Sequence, residues 1–321
     1  MDRELALELV RVTEAAALAA SRWVGRGDAD GADGAATEAM RNMFRTVEIR
    51  GVVVIGEGEM DEAPMLAQGE EVGTGRGPRV DVAVDPIEGT SMVAKMLPNA
   101  LSVAAIAPRG HLLKAPDMYM EKLACGPRLR GILSLDDPLE TTLRKAAEAL
   151  GKPLSELSVA MLERDRHKAH LEVARRLGVR LKLLNAGDVL GCIATALPRG
   201  GTDLYIGSGG APEGVLAAVA LRCLGGDFQG RLMPQTPEQR ERCQQLGLDV
   251  AKTLTLSDLA GDDDAIFAAT GITDGDWLEG VRREGDYLHT HSVVMRVRTG
   301  TVRHVNAIHY RPLEMRLAQT V

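Results

Sequence analysis

Asp85-Pro86-Ile87-Glu88-Gly89-Thr90-Ser91 brings two carboxylates, two hydroxyls and a glycine directly after the apolar run Val80-Asp81-Val82-Ala83-Val84. The run reads as a buried strand, and Pro86 followed by Gly89 predicts a turn as the chain leaves it. A helix beginning near Gly89 would aim unsatisfied N–H groups at an anion, with Thr90 and Ser91 adding hydroxyl donors. Carboxylates repel phosphate, so divalent cations must stand between them, and magnesium or manganese suit such all-oxygen sites. An N-capped helix after a strand is the purely structural alternative.

A second strand-like run, Val52-Val53-Val54-Ile55, also emerges into acid, through Gly56-Glu57-Gly58-Glu59-Met60-Asp61-Glu62. The glycine-rich connection Gly73-Thr74-Gly75-Arg76-Gly77-Pro78 would allow the two strands to be neighbours that deliver both clusters to one cleft. Solvated acidic turns are the plainer alternative. Asp33, just before an amphipathic segment, reads as a helix cap or a ligand. Glu213 falls in the first turn of an expected helix, where the dipole favours a carboxylate in any case.

The Asp85–Thr90 segment resembles the signature of the lithium-sensitive, metal-dependent phosphatases, the superfamily of inositol monophosphatases and fructose bisphosphatases. More narrowly, the chain resembles the class II fructose-1,6-bisphosphatases of bacteria. The resemblance extends over Arg11-Val12-Thr13-Glu14, Gly25-Arg26-Gly27-Asp28, Ile55-Gly56-Glu57-Gly58-Glu59 and Asp61-Glu62-Ala63-Pro64-Met65-Leu66. It continues through the block from Ala115 to Leu123, Gly209-Gly210-Ala211-Pro212-Glu213-Gly214-Val215 and Ala269-Thr270-Gly271-Ile272-Thr273. It implies a five-layer α/β/α/β/α sandwich of two packed halves with the site between them. It also implies that Asp33, Glu57, Asp85, Glu88 and Glu213 bind more than one Mg2+ or Mn2+ ion, with the Ile87 carbonyl as a further ligand.

The implied chemistry is hydrolysis of the 1-phosphate of fructose 1,6-bisphosphate by direct in-line attack of metal-bound water, without a covalent phosphoenzyme. Thr90, backed by Asp33 or Glu57, would orient the water. Amides around Gly89 to Ser91, beside Glu88, would hold the phosphate oxygens. By the same resemblance Tyr119, Arg164 and Arg166 would take the far phosphate and the sugar, with Asp188 and Gly210 contacting hydroxyls. A strand-end pair of arginines suits bidentate phosphate capture, although basic clusters are commonly solvated surface. Three positions depart from the family pattern: Ala29 for a lysine, Ala186 for an aspartate and Arg164 for a lysine. Ala186 removes one sugar contact, so a bifunctional fructose/sedoheptulose bisphosphatase stands as an alternative. Inositol or nucleotide phosphatases and a catalytically silent sugar-phosphate sensor are the others.

Composition agrees at a coarser level. A chain of 321 residues can bury a large core, and its net charge of -7 argues against nucleic acid or a polybasic membrane contact. Aromatic residues are only 3% of the chain, too few for base-stacking surfaces. Cys125, Cys192, Cys223 and Cys243 are scattered without a C-x-x-C pair, which fits a reducing cytoplasm better than zinc or disulfides. Acidic residues interrupt the first 23 positions, so an amphipathic helix is expected there instead of a signal peptide. A homo-oligomer, dimer or tetramer, is expected.

To position the site residues, the chain must supply a helical opening, a strand-rich acidic region to about Leu135 and an alternating α/β remainder. Expected divisions are 1–138, an α+β half with most metal ligands, and 139–321, an α/β half supplying Glu213 and substrate contacts. Ser158–Leu162, Val179–Leu184 and Thr202–Ile206 read as strands. Helices are expected after Asp165, over Val189–Ala196 and from Pro212, and over Thr37–Ile49 and Asp136–Leu150. Such alternation predicts a mainly parallel second sheet. His289-Thr290-His291 puts two imidazoles on one strand face, and alternation places His304 and His309 in a terminal strand. Gly207-Ser208-Gly209-Gly210 lacks the dinucleotide spacing and reads as a close-approach loop.

Overall fold

A computed structural model describes residues 4–57 and 66–310. The chain opens with α1 (Leu5–Ser21) and α2 (Ala29–Phe44), then β1 (Arg50–Ile55), β2 (Glu71–Val72), β3 (Arg79–Glu88), α3 (Thr90–Ala94) and β4 (Leu101–Pro108). Next come β5 (Tyr119–Cys125), α4 (Leu139–Leu150), β6 (Ser158–Leu162), α5 (Lys168–Leu177), β7 (Arg180–Leu184), α6 (Asp188–Ala194), β8 (Leu204–Gly210) and α7 (Ala211–Leu224). The rest is β9 (Asp227–Met233), α8 (Pro237–Gln245), α9 (Leu256–Ala260), β10 (Ile266–Gly271), β11 (Arg282–Glu284), β12 (Tyr287–Arg296) and β13 (Thr301–Tyr310). The class is mixed α/β, as expected.

The chain divides into two compact units. One holds the described residues to Arg109, Ile266–Arg296 and those from Thr301; the other holds Gly110–Ala265 with Val297–Gly300. The expected boundary at 138 therefore falls inside the second unit, and the last strands return to the first. Periodicity reveals where elements lie but not which sheet a distant strand joins.

In the first unit the sheet has eight strands among the described residues, ordered β11-β12-β10-β4-β3-β1-β2 with β13 on β12. Only β1 and β3 pair in parallel; the other ladders are antiparallel. Helix α1 buries Leu5, Leu9, Val12, Ala16 and Ala20, a stripe at helical spacing that packs on β10 and β12. Each such leucine contributes about 2 kcal/mol by leaving water. Helix α2 starts at Ala29, eight residues before the expected Thr37, because Asp28 caps it by accepting the Gly31 N–H at 2.8 Å.

The second unit carries a five-stranded sheet ordered β7-β6-β8-β5-β9. β6 pairs in parallel with β7 and β8, while β5 is antiparallel to both β8 and β9. The expectation of a mainly parallel sheet thus holds for one side only: on the other side β5 lies between β8 and β9 and runs antiparallel to both. Leu123, Leu143, Leu157, Val159, Leu204 and Ile206 form a core under α4. Helix α7 is buried nearly all round, and Pro212 occupies its first turn as expected. Among the described residues no helix is long and apolar enough to cross a membrane.

Candidate functional site

The parallel pairing of β1 and β3 places Ile55 opposite Ala83, so Glu57 and Asp85, each two residues further on, leave the same end of the sheet. Neighbouring strands lie about 4.8 Å apart, which makes these two acids residents of one edge. The Glu57 N–H donates to the Leu66 carbonyl at 3.1 Å, fixing the chain just past β1. Glu59, Asp61 and Glu62, with the block Asp61 to Met65, lie outside the described residues.

β3 does not stop at Asp85, as the Pro86 turn had predicted. Asp85 sits opposite Val103 and Glu88 opposite Leu101, so β3 carries one residue more than β4 between them and bulges. Pro86 fits the bulge because its missing N–H forfeits no ladder bond there. The bulge re-aims the chain, leaving Glu88 only 4% exposed. Gly89 then turns left-handed at φ 95° as the N-cap of α3, and a Cβ there would lie 2.8 Å from Met92 Sδ. The Thr90 hydroxyl donates to the Ile87 carbonyl at 3.3 Å. α3 is only five residues long, so its dipole contribution is small, but its opening amides follow Gly89 as expected.

Asp33 lies in the second turn of α2 and is not its cap. Burial raises its pKa, and the neighbouring Asp30 raises it further. The N–H groups of Gly25 and Gly27 donate to the carbonyls of Val93 and Ala94 at 2.9 and 3.0 Å, tying the turn before α2 to α3.

In the second unit the residues expected to bind substrate gather at one end of β5, β6 and β8. Tyr119 pairs opposite Gly210. The Arg166 guanidinium lies 4.5 Å from the Tyr119 ring centroid and donates to Ser208 Oγ and O at 2.8 and 2.7 Å. Arg164 donates to the Glu163 and Asn185 carbonyls at 2.8 and 2.6 Å. The Ser208 N–H donates to His167 Nε2 at 2.8 Å, so the His167 proton sits on Nδ1 and is donated to the Leu162 carbonyl at 2.7 Å. Burial lowers the His167 pKa and keeps this imidazole neutral.

Asp188 opens α6, and its Oδ2 accepts from Lys122 Nζ at 2.5 Å. Glu213, in the first turn of α7, has its pKa raised by burial and then by Asp188, against the pull of Lys122. Burial alone would depress the Lys122 pKa, but Asp188 and Glu213 outweigh it and raise it. Two glycines make room: a Cβ on Gly209 would fall 1.8 Å from Asp188 Oδ2, and one on Gly210 would fall 1.9 Å from Glu213 Oε2.

Lys122 was missed from the sequence, although a signal was there. Met120, Lys122 and Ala124 alternate along β5, all fully buried, so the lysine occupies the apolar face, where a charge demands a partner. The histidines take separate partners: His291 Nε2 meets His304 Nδ1 at 3.1 Å, while His289 Nε2 lies 3.4 Å from Glu284 Oε2.

Among the described residues no three His, Cys, Asp or Glu side chains are gathered into a group able to hold an ion. The donor chemistry nonetheless suits a hard cation: the candidates are all oxygen ligands, and Glu213 Oε2 is buried with no hydrogen-bond partner. Such an oxygen is costly unless a cation meets it.

A family model described as bacterial fructose-1,6-bisphosphatase, glpX-encoded, matches residues 3–309. The chain is 50% identical to fructose-1,6-bisphosphatase 1 class 2 of Escherichia coli K12, over 97% of this chain and 96% of that protein. It is 48% identical to the class 2 fructose-1,6-bisphosphatase of Haemophilus influenzae, over 97% of each chain.

Proposed function

Because the chain belongs to the glpX-encoded bacterial fructose-1,6-bisphosphatase family, we propose that it hydrolyses the 1-phosphate of fructose 1,6-bisphosphate to fructose 6-phosphate and inorganic phosphate, a gluconeogenic reaction. The observation that carries this reading is half-identity sustained over 97% of the chain to a protein of that name. Arg166, Tyr119, Asp188 and Gly210, gathered at one sheet end, supply the mixture of cation and hydroxyl partners that a phosphorylated sugar needs.

Asp33, Glu57, Asp85, Glu88, Glu213 and the Ile87 carbonyl would hold Mg2+ or Mn2+, which when bound activates water and offsets phosphate charge. Thr90 orients the attacking water through its hydroxyl, which the Ile87 carbonyl already fixes. The amides of Thr90 and Ser91 hold the phosphate oxygens as charge develops. The water oxygen forms the new bond to phosphorus in line as the bond from phosphorus to the sugar's C1 oxygen breaks, and the proton given up by that water goes to the departing alkoxide. Arg166 and Tyr119 grip the far phosphate, and Asp188 accepts from a sugar hydroxyl. Lithium inhibits on this reading. Ala186 leaves the sugar side less constrained, so hydrolysis of a seven-carbon bisphosphate as well is the alternative reading. A reducing cytoplasm fits the four free, buried cysteines, and a homo-oligomer belongs to the same proposal.

The experiment is phosphate release from a panel of phosphorylated sugars with Mg2+ or Mn2+, comparing the parent with Glu57→Gln and Asp85→Asn. Both variants should lose metal-dependent turnover; near-parental rates in either would refute the ligand assignment. A preference for inositol phosphates would refute the substrate.

A further inference from the structure

The second unit contains a cavity of about 620 Å³ that the proposed reaction does not use. Its walls come from the strand ends opposite Tyr119 and Gly210. Ser158 is the first residue of β6, Arg180 the first of β7, Asp203 immediately precedes β8 and Gly126 immediately follows β5. The seven residues of β5 separate this end from Tyr119 by roughly 20 Å. Ligands of open α/β sheets ordinarily bind beyond the C-terminal ends of parallel strands. This cavity lies at their N-terminal ends, so it is not the far side of the substrate crevice.

Its charge is specific. Arg128 donates to the Leu150 carbonyl and Arg180 to the Ser155 carbonyl, each at 3.1 Å, and among the described residues neither guanidinium has a carboxylate partner. Lys152 is already satisfied by Asp203 Oδ1 at 2.6 Å, while Asp203 Oδ2 accepts the Ser158 N–H at 2.9 Å. Asp203 is therefore neutralised within the wall. Against the two arginines stands one further lining carboxylate, the exposed Glu156. Guanidiniums tethered through one N–H keep the remainder of their donor fork for an oxyanion. No aromatic side chain lines the cavity, so a nucleobase would find no stacking partner.

The geometry points to a second anion site, held by Arg128 and Arg180, for a small non-aromatic phosphorylated compound. Its volume suits a molecule of sugar-phosphate size. The site does not depend on the identity of the reaction at the other end of the sheet.

The test is calorimetric titration of the full chain with inorganic pyrophosphate in the presence of a chelator, in an Arg166→Ala background that weakens the proposed substrate phosphate site. Binding should weaken tenfold or more on adding Arg128→Ala and Arg180→Ala together. Both arginines are exposed, and an unchanged melting temperature verifies that the fold is kept. Citrate serves as a second probe and should bind at least tenfold more weakly than pyrophosphate. Pyrophosphate affinity unaffected by the double substitution, absence of binding, or citrate bound as tightly as pyrophosphate would each overturn the assignment.

Discussion

Lys122 Nζ meets Asp188 Oδ2 at 2.5 Å with the lysine side chain wholly shielded from water. A charge so placed is tolerable only while its partner remains. Lys122→Met should therefore destabilise the protein by roughly 3–5 kcal/mol, because Asp188 and Glu213 are left as uncompensated buried carboxylates. Adding Asp188→Asn should recover part of that loss. Urea unfolding of the two variants checks both; equal stability of Lys122→Met and the parent would remove the pair from any structural role.

Glu14 provides a pH dependence. Burial raises its pKa above 4.5, opposed by His309, by a hydrogen bond from the Thr290 hydroxyl at 3.0 Å and by Arg11. With the folded pKa above the unfolded one, its stabilising contribution is complete below 4.5 and disappears as pH rises through the raised value. Glu14→Gln should accordingly gain on the parent in unfolding free energy between pH 4.5 and 7. A difference that stays flat across that range contradicts the assignment.

Substitution of Thr90 should separate catalysis from binding. Thr90→Ala removes the hydroxyl anchored on Ile87 O at 3.3 Å, and kcat should fall about 100-fold with KM little changed. Steady-state kinetics with fructose 1,6-bisphosphate decides it; a rise in KM at unchanged kcat would make Thr90 a binding residue only.

Arg166→Ala should raise KM for a bisphosphate about tenfold more than for a monophosphate, if the guanidinium held by Tyr119 and Ser208 takes the far phosphate as proposed. Equal effects on both substrates would contradict that role.

Gly210→Ala should weaken manganese binding and cost about 1–3 kcal/mol, since the new methyl would fall 1.9 Å from Glu213 Oε2. Titration of Mn2+ by magnetic resonance, independent of turnover, gives the readout. Unaltered affinity would separate Glu213 from the ion.

Much of this architecture could be read before any coordinates, because apolar runs and turn residues report local structure directly. β1, β6 and the hydrophobic stripe of α1 from Leu5 through Leu9 and Val12 to Ala16 fall where periodicity puts them. The bulge at Pro86 was hidden, since a proline that ends a strand and one that sits in a bulge look alike without the opposing residues Val103 and Leu101. The return of β10 to β4 was hidden too, because ladder partners distant in sequence leave no mark on either segment. In the site, residue type and spacing singled out the acids. Lys122 needed a different question: which charged side chain stands on a buried face.

The insertion of one unit within the other has a consequence for synthesis. β4 pairs with β3 on one side and β10 on the other, and β10 leaves the ribosome roughly 160 residues later. At ordinary elongation rates the apolar edge Val103-Ala104-Ala105-Ile106 waits on the order of 10–30 s for its partner. Meanwhile the inserted unit, whose strands all lie within Tyr119–Met233, can complete its own sheet. The nascent first unit is thus the half that needs chaperone protection, and an unpaired edge there is where aggregation would begin.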